Sequence, residues 1–276
     1  MPKHLNASLD MSVDVVRYNG GVIRKAGLRA VLSNGAITLD RASALFPGGS
    51  DVSMFGFLET IDGAPHFEGE VAAASDNLRA VLDWLSIDTS GVSKDHLRGF
   101  SYASKVKATP QDIEVTDINI RLDASTMTGA LALALRERPG IGLRLEIDRL
   151  NLDSYRDQSG AGNSLLKPNS AKSNSAQPNP VTTTATSGKA ATVSKGVPVL
   201  NAFDANFDFQ VDRLTLQGAT FRKLKTVGLL VGGDLTLRRF SVVDAMGVAA
   251  TVSGDLKGLD DTPSYALNYD VTGKDP

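Results

Sequence analysis

Four carboxylates are the first side chains whose spacing could serve catalysis. Asp10 and Asp14 recur as Asp208 and Asp212 in the C-terminal part of the chain. Two carboxylates that face one another can act as acid and base in hydrolysis. Alternation of polar and apolar residues, however, places all four on the polar side of predicted strands. We therefore interpret them as solvent-facing charges that discourage edge-to-edge pairing.

No other pattern of titratable residues predicts a catalytic site. His4, His66 and His96 are far apart in the sequence, and no other typical ligand is adjacent to any of them. The chain has no nucleophile elbow, P-loop, zincin motif or EF-hand loop. The run GAGNSL lacks the third glycine of a dinucleotide-binding fingerprint. We predict that the chain is not an enzyme and uses neither a metal nor a cofactor.

Charge and cysteine content limit the classes of partner. The formal net charge is −2 and the basic residues are scattered, so we expect no nucleic-acid partner. Arg24-Lys25 and Arg222-Lys223 either contact phosphate head groups or form an ordinary solvated face, and the solvated face is the commoner arrangement. Because the chain has no cysteine, it has neither disulfides nor thiolate metal sites.

Composition divides the chain into three segments. Hydrophobic residues make up 42% of the sequence, enough for one or two ordinary cores. Residues 157–197 are rich in Ser, Asn, Thr and Pro, which predicts a disordered linker between segments 1–156 and 198–276. The longest apolar stretch, near residues 227–231, is too short to span a bilayer. We expect any export signal or membrane anchor to lie outside this sequence.

The two flanking segments are related to each other. Residues 8–71 align without a gap to residues 206–269, and 17 of the 64 aligned pairs are identical. Turn glycines and apolar residues recur together, as in Gly20 with Gly218 and Leu39 with Leu237. The middle stretch DIEVTDINIRLDASTMTGALALAL shares the hydrophobic rhythm of DLTLRRFSVVDAMGVAATVSGDL. The sequence therefore predicts two copies and one partial copy of a multi-strand unit.

Period-two alternation is the dominant secondary-structure signal and predicts an all-β fold. Its phase slips by one residue between Val211 and Leu214 and between Leu237 and Phe240, which indicates β-bulges. Asn19-Gly20, Asn34-Gly35 and Gly232-Gly233 are typical of hairpin turns. We predict an elongated, twisted antiparallel sheet in which consecutive strands pair.

A single helix is predicted, near residues 76–85. Leu78, Val81, Leu82 and Leu85 recur at helical spacing, with Ser75 or Asp76 as the N-cap. We expect this helix to lie across one end of the sheet.

One short helix cannot cover the apolar face of about a dozen strands. Either the sheet folds over on itself, or part of the face stays open as a groove, which in a soluble protein indicates a ligand, partner or membrane. The alternating apolar residues predicted to line this groove are Ile37, Leu39, Leu131, Leu133, Leu135, Leu143, Leu145, Ile147, Phe207, Phe209, Val211, Leu235 and Leu237.

The segment VTDINIRLDASTMTGALALALRERPGIGLRLEIDRLNLDSYR resembles the AsmA-like family of bacterial envelope proteins. In that family a strand ending in Asp leads to a Ser/Thr-x-x-x-Gly strand and then to an LxLDxY element. Leu150, Leu152, Asp153 and Tyr155 occupy the last motif here. The low-complexity insert and the strands after it also look like the C-terminal region of these proteins.

The resemblance implies an open β-groove, or β-taco, related to those of bridge-like lipid transfer proteins. It implies a periplasmic location and an N-terminal anchor in the inner membrane, which this sequence lacks, so we expect a fragment of a longer chain. The expected ligands are phospholipid acyl chains, and the expected role is phospholipid transport or outer-membrane assembly and homeostasis. The alternative is a structural or adhesive β-repeat protein with a closed core and no lipid ligand.

Overall fold

One large, open β-sheet contains nearly all the secondary structure of the protein. A computed structural model describes residues 5–156, 198–245, 247–259 and 263–273. The strands are β1 (Ala7–Tyr18), β2 (Gly21–Ser33), β3 (Ala36–Phe46), β4 (Ser50–Ile61), β5 (Ala64–Ser75), β6 (Phe100–Ala108), β7 (Asp112–Leu122), β8 (Ser125–Ala134), β9 (Gly140–Ile147), β10 (Leu150–Asn151), β11 (Asp204–Leu216), β12 (Ala219–Val231), β13 (Asp234–Ala245), β14 (Val248–Lys257) and β15 (Ser264–Gly273). Two short helices, α1 (Leu78–Trp84) and α2 (Leu152–Tyr155), and a 3₁₀ turn at Pro198–Asn201 complete the described structure.

Strand order follows the sequence, as predicted. Fourteen strands lie side by side from β1 to β15, and the two-residue strand β10 pairs with β11 off this path. All neighbours along the path are antiparallel except β9 and β11, which are parallel. The expectation that consecutive strands are all antiparallel is wrong at this junction. Both strands start at the same end of the sheet, so the chain between them must return from one end to the other.

Hairpin turns form where glycine and asparagine predicted them. Asn34 and Gly35 have φ angles of 52° and 77°, the left-handed conformation that a tight two-residue hairpin requires. Asn19-Gly20 and Gly232-Gly233 also have positive φ at both residues. These turns fix the register of the long strands on either side of them.

The internal repeat is present in the strand bounds. β2 and β12 begin and end 198 positions apart, and β1, β3, β4 and β5 correspond at nearly the same spacing to β11, β13, β14 and β15. Lys25 and Lys223, also 198 positions apart, have φ angles of 49° and 51°. The partial middle copy follows the same plan, because β8 and β14 begin and end 123 positions apart.

A β-bulge occurs at the same place in each copy. The pairing register shifts between Leu39 and Ala42 in β3, between Val115 and Ile118 in β7, and between Leu237 and Phe240 in β13. Each bulge inserts one residue, so the apolar residues on both sides of it stay on one face. The bulge predicted between Val211 and Leu214 is absent, because β11 and β12 stay in register from Val211 opposite Leu224 to Arg213 opposite Arg222.

The helices differ from the prediction in two respects. The N-cap of α1 is Asn77, whose side chain makes no capping hydrogen bond. Ser75, one of the two predicted caps, instead ends β5 and hydrogen-bonds to Ser50. The one-turn helix α2 was not predicted, since four residues are too few to show a helical period. It begins where the Asn151 side chain accepts hydrogen bonds from the N–H groups of Asp153 and Ser154.

The predicted linker, residues 157–197, lies outside the described residues. The strands on its two sides, β9 and β11, are direct neighbours and pair over eight positions, from Asp204 opposite Gly140 to Val211 opposite Ile147. Segments 1–156 and 198–276 therefore contribute to one continuous sheet.

Candidate functional site

Two uninterrupted rows of apolar residues cross the entire sheet at right angles to the strands. Each member of a row is the direct cross-strand partner of the next, so all members lie on one face. The first row is Leu9, Ala30, Leu39, Gly56, Gly69, Val106, Val115, Leu131, Leu143, Phe207, Gly228, Leu237, Gly254 and Leu267. The second row is Ala7, Leu32, Ile37, Leu58, Phe67, Ala108, Ile113, Leu133, Ile141, Ala205, Leu230, Leu235, Leu256 and Tyr265.

A third row lies nearer to the helices and is almost as apolar. Ser104 and Thr226 are its only polar members. In chain order it contains Met11, Leu28, Ala42, Met54, Val71, Ser104, Ile118, Gly129, Leu145, Phe209, Thr226, Phe240, Val252 and Tyr269. We call the surface formed by these three rows the apolar face.

Its length is set by the strand spacing. Thirteen steps of about 4.8 Å between the fourteen strands give a row length of roughly 60 Å. One leaflet of a bilayer has a hydrocarbon thickness of only about 15 Å, half of the ~30 Å core. A row is therefore several times longer than the distance that one acyl chain spans in a membrane.

Most large side chains of the apolar face are half-buried, except on β1 and β15, where they are exposed. Among the described residues, no large side chain is less than 2% exposed, and the most buried apolar side chain, Leu230, is 6% exposed. With two rows of about 7 Å each, the strip formed by the first two rows has a footprint on the order of 800 Å². Apolar patches on ordinary monomers reach about 300–600 Å². The sheet is a single layer whose apolar side lacks a second sheet or helical layer within the described chain.

Aromatic rings cover three of the four glycines of the first row. A Cβ atom on Gly56 or on Gly69 would lie 2.6 Å from Cζ of Phe67. The ring of Phe207 covers Gly228 in the same way. An aromatic ring lying over a neighbouring glycine compensates for the missing side chain. The first row therefore remains a continuous hydrocarbon surface at these three positions.

An apolar hollow of about 400 Å³ opens at the N-terminal side of the apolar face. Met11, Leu28, Met54 and Val71, all members of the third row, line it together with Phe46. Methionine side chains adapt to irregular apolar ligands because they are unbranched and flexible. This hollow is suited to a hydrocarbon chain rather than to a polar metabolite.

Polar groups and α1 close the apolar face at one end. Ser50 and Ser75 are buried there and their hydroxyl groups are 2.7 Å apart. The indole N–H of Trp84 donates to the backbone oxygen of Tyr18, and the Asn19 side chain donates to the backbone oxygen of Trp84. The predicted position of this helix across one end of the sheet is thus confirmed.

The LxLDxY element lies at the same end of the sheet as α1 and contacts the turn between β11 and β12. The carboxylate of Asp153 accepts hydrogen bonds from the N–H groups of Gln217 and Gly218, at 2.6 and 2.8 Å. Both hydrogen bonds lower the pKa of Asp153, and the bond from Gly218 lowers it more. Gln217-Gly218 is the counterpart of Asn19-Gly20, 198 positions earlier. One hairpin turn is therefore held by α2 and its counterpart by α1.

Tyr155 connects α2 to the neighbouring loop. Its hydroxyl donates to Asp123, at 2.9 Å, and Asp123 also accepts from the N–H groups of Leu97 and Arg98. Burial and this hydrogen bond raise the pKa of Tyr155 to about 12, so it remains a neutral donor at physiological pH. Sequence reasoning noted Asp153 and Tyr155 only as motif residues; their partners lie 32 to 65 positions away.

The side of the sheet opposite the apolar face is charged. Arg29 pairs with Asp10 at 2.7 Å and Lys107 pairs with Glu68 at 2.8 Å, each across neighbouring strands. Asp10 therefore lies on the polar side of β1, as the alternation predicted. These ion pairs are exposed, so each contributes little to stability. Their main effect is to keep this side of the sheet hydrated.

Within the described residues, His66 and His96 lie apart and have different neighbours. His4 lies outside the described residues, as does the run GAGNSL. His66 lies beside the backbone oxygen of Ala64, whereas the ring of His96 packs against Tyr155. In the described parts of the chain, no three His, Asp or Glu side chains form a group that could hold a metal ion.

Of the thirteen predicted groove residues, twelve share the apolar face. Ten belong to the three rows, and Ile147 and Val211 are partners of each other on the same face. Leu135 is the exception. β8 ends at Ala134, and Leu135 lies in the connection to β9, with 48% exposure. The period-two pattern of the sequence continues one residue beyond the strand ladder, which is why alternation alone included it.

Within the described residues, none of the helices combines the length and apolarity that crossing a membrane requires. Comparison of the chain with models of protein families, with curated proteins and with solved structures gave no match in any of the three.

Proposed function

We propose that this chain is a non-catalytic, AsmA-like protein of the bacterial envelope whose apolar face holds phospholipid acyl chains. In this proposal it acts in the periplasm, joined to the inner membrane through a part of the protein outside this sequence. Its role is phospholipid transport between membranes or outer-membrane assembly and homeostasis. No covalent chemistry, metal or cofactor takes part.

The observation that carries the proposal is the pair of apolar rows that cross all fourteen strands without a polar residue. A groove for acyl chains needs continuous hydrocarbon along its length, since each methylene removed from water contributes about 0.8 kcal/mol. It needs no directional contacts along that path. A single polar side chain in a row would leave an unsatisfied group against lipid, at a cost of about 1–3 kcal/mol.

The shape of the sheet supports the same proposal. Bulges recur at Leu39, Val115 and Leu237, one in each copy, and bulges bend and twist a sheet. Regularly spaced bends favour a curved sheet with its apolar face on the inside. The alternative, a closed β-repeat core without lipid, requires fully buried apolar side chains, and the described residues contain none below 2% exposure.

The test is lipid analysis of the purified chain. Residues 1–276 are produced in a bacterium, extracted in mild detergent and examined by native mass spectrometry, followed by solvent extraction of bound lipid. We expect masses of the protein with one or more phospholipids. A folded, lipid-free protein that also fails to take up phospholipid from vesicles would contradict the proposal.

A further inference from the structure

Within the described chain, β1 and β15 each have a strand partner on one side only. Every residue of β1 and of β15 is exposed, and no other strand of the described chain pairs with their outer sides. Both strands are long, with 12 and 10 residues. They also present large apolar side chains, including Tyr265 and Tyr269, which are 77% and 79% exposed. Long, apolar free edges are templates for pairing with another strand.

The junction between β9 and β11 shows which strand fits each edge. By the internal repeat, β11 is the counterpart of β1, with Phe207 in the position of Leu9. Through the partial middle copy β9 is a counterpart of β15, because both follow corresponding strands, β8 and β14, and contribute Leu143 and Leu267 to the first row. β15 also corresponds to β5 of the first copy, which pairs antiparallel with β6. Within the chain β9 and β11 pair in parallel. The molecule therefore contains one example of the contact that its outer edges can make.

Strand direction permits the same contact between two molecules. β1 runs from Ala7 in the second row towards α1, and β15 runs from Tyr265 in the second row towards the same end of the sheet. If a second copy is placed beside the first without inversion, β15 of one and β1 of the other are parallel. This is the arrangement of β9 and β11.

We propose that β15 pairs in parallel with β1 of a second copy of this chain. The register follows from the internal junction, in which Leu143 is opposite Phe207 and Ile141 is opposite Ala205. Leu267 then lies opposite Leu9 of the second copy, and Tyr265 lies opposite Ala7 of the second copy. Both apolar rows continue from one molecule into the next.

The charged side of the sheet tolerates this register. Asn268 comes to lie opposite Asp10 of the second copy, and Asp270 comes to lie opposite Ser12 of the second copy. No like charges face each other across the new junction, whereas direct opposition of like charges would destabilise it. Because this contact joins different edges, it is head-to-tail, and successive copies either close into a ring or add in an open line. This inference goes beyond lipid binding and stands without it.

Cross-linking between single-cysteine variants tests the register, because the natural chain has no cysteine. Leu9→Cys and Leu267→Cys are purified separately, one carries a mass tag, and the two are mixed with a short bifunctional thiol reagent. We expect the mixed product to exceed, by about tenfold, that of the control mixture of Tyr18→Cys and Leu267→Cys. Tyr18 is nine residues from Leu9, about 30 Å along the strand, and out of reach of the reagent.

Two outcomes would overturn the proposal. One is equal cross-linking in the test and control mixtures. The other is a predominance of Leu9-to-Leu9 or Leu267-to-Leu267 products, which indicates symmetric edge pairing instead. Sedimentation velocity of the unmodified chain supplies an independent readout. We expect the sedimentation coefficient to rise between about 1 and 100 μM, the range of a micromolar association, and a constant monomer value would also refute the second-copy contact.

Discussion

Leu133→Asp and Phe209→Asp are each expected to reduce the phospholipid recovered with the purified protein by about tenfold or more. Leu133 lies in the second row and Phe209 in the third, both in the middle of the apolar face. A carboxylate at either position must lose its water when an acyl chain covers it, and an uncompensated buried charge is far costlier than a missing methyl group. Lipid recovered per protein, measured after solvent extraction, checks this result.

Two control variants separate charge from loss of contact and from general damage. Leu133→Ala removes hydrocarbon without adding charge, and we expect most lipid binding to remain because a row offers many equivalent contacts. Ser241→Asp adds a carboxylate on the charged side, directly opposite Lys225 on one neighbouring strand and Thr251 on the other. It is expected to bind lipid like the unmodified chain. Equal lipid recovery from Phe209→Asp and Ser241→Asp would show that the apolar face is not the binding surface.

Gly129→Ala is expected to cause a large loss of stability from a single added methyl group. Gly129 belongs to the third row, and a Cβ atom there would collide with the backbone oxygen of Arg144 on the neighbouring strand. Because a backbone atom cannot move aside as a side chain does, β8 and β9 must separate locally. Overpacking of this kind costs about 1–3 kcal/mol. Urea unfolding followed by circular dichroism measures the change.

Gly27→Ala is the matched control for this effect. Gly27 also lies in the interior of a strand, β2, but its added Cβ would meet only the backbone oxygen of Met11, at an ordinary 3.9 Å. Its unfolding midpoint should remain close to that of the unmodified chain. If both variants unfold at the same urea concentration, the close approach of β8 and β9 at Gly129 is not important for stability.

Local sequence signals predicted the repeating parts of the fold. Alternation identified the strands because one side chain in two faces the apolar face, as in Leu143, Leu145 and Ile147 of β9. Asn34-Gly35 identified a hairpin because few other dipeptides adopt two positive φ angles in succession. The phase slip from Leu237 to Phe240 located a bulge for an equally local reason. Because the unit recurs, the same predictions apply to the corresponding strands and turns of the second copy.

Long-range features were not predictable in this way. The parallel pairing of β9 with β11 depends on how the chain returns across the sheet, and no local pattern encodes that path. The bonds of Asp153 to Gln217 and Gly218 join residues more than sixty positions apart. The rows themselves arise only when the register of every strand pair is known. Sequence reasoning selected twelve residues of the apolar face but not their continuity.

That continuity also explains why no single residue is expected to be essential. The first row contains large side chains such as Leu131 and small ones such as Ala30, so the proposed function predicts contacts with an acyl chain that are numerous and individually weak. An acyl chain can shift along such a surface with little change in free energy, because the methylenes it exposes at one end are replaced by contacts at the other. A surface of this kind favours movement over tight, fixed binding.

The most direct test of this account is to locate bound lipid on the protein. Purified chain is incubated with vesicles containing phospholipid that carries a photoreactive group within its acyl chain, irradiated, digested and mapped by mass spectrometry. We predict labels on members of the apolar rows in several strands, including β3, β8, β11 and β13, and none on charged-side residues such as Lys107 or Arg144. Labels confined to the charged side or to loops, in a protein that remains folded, would contradict the central claim.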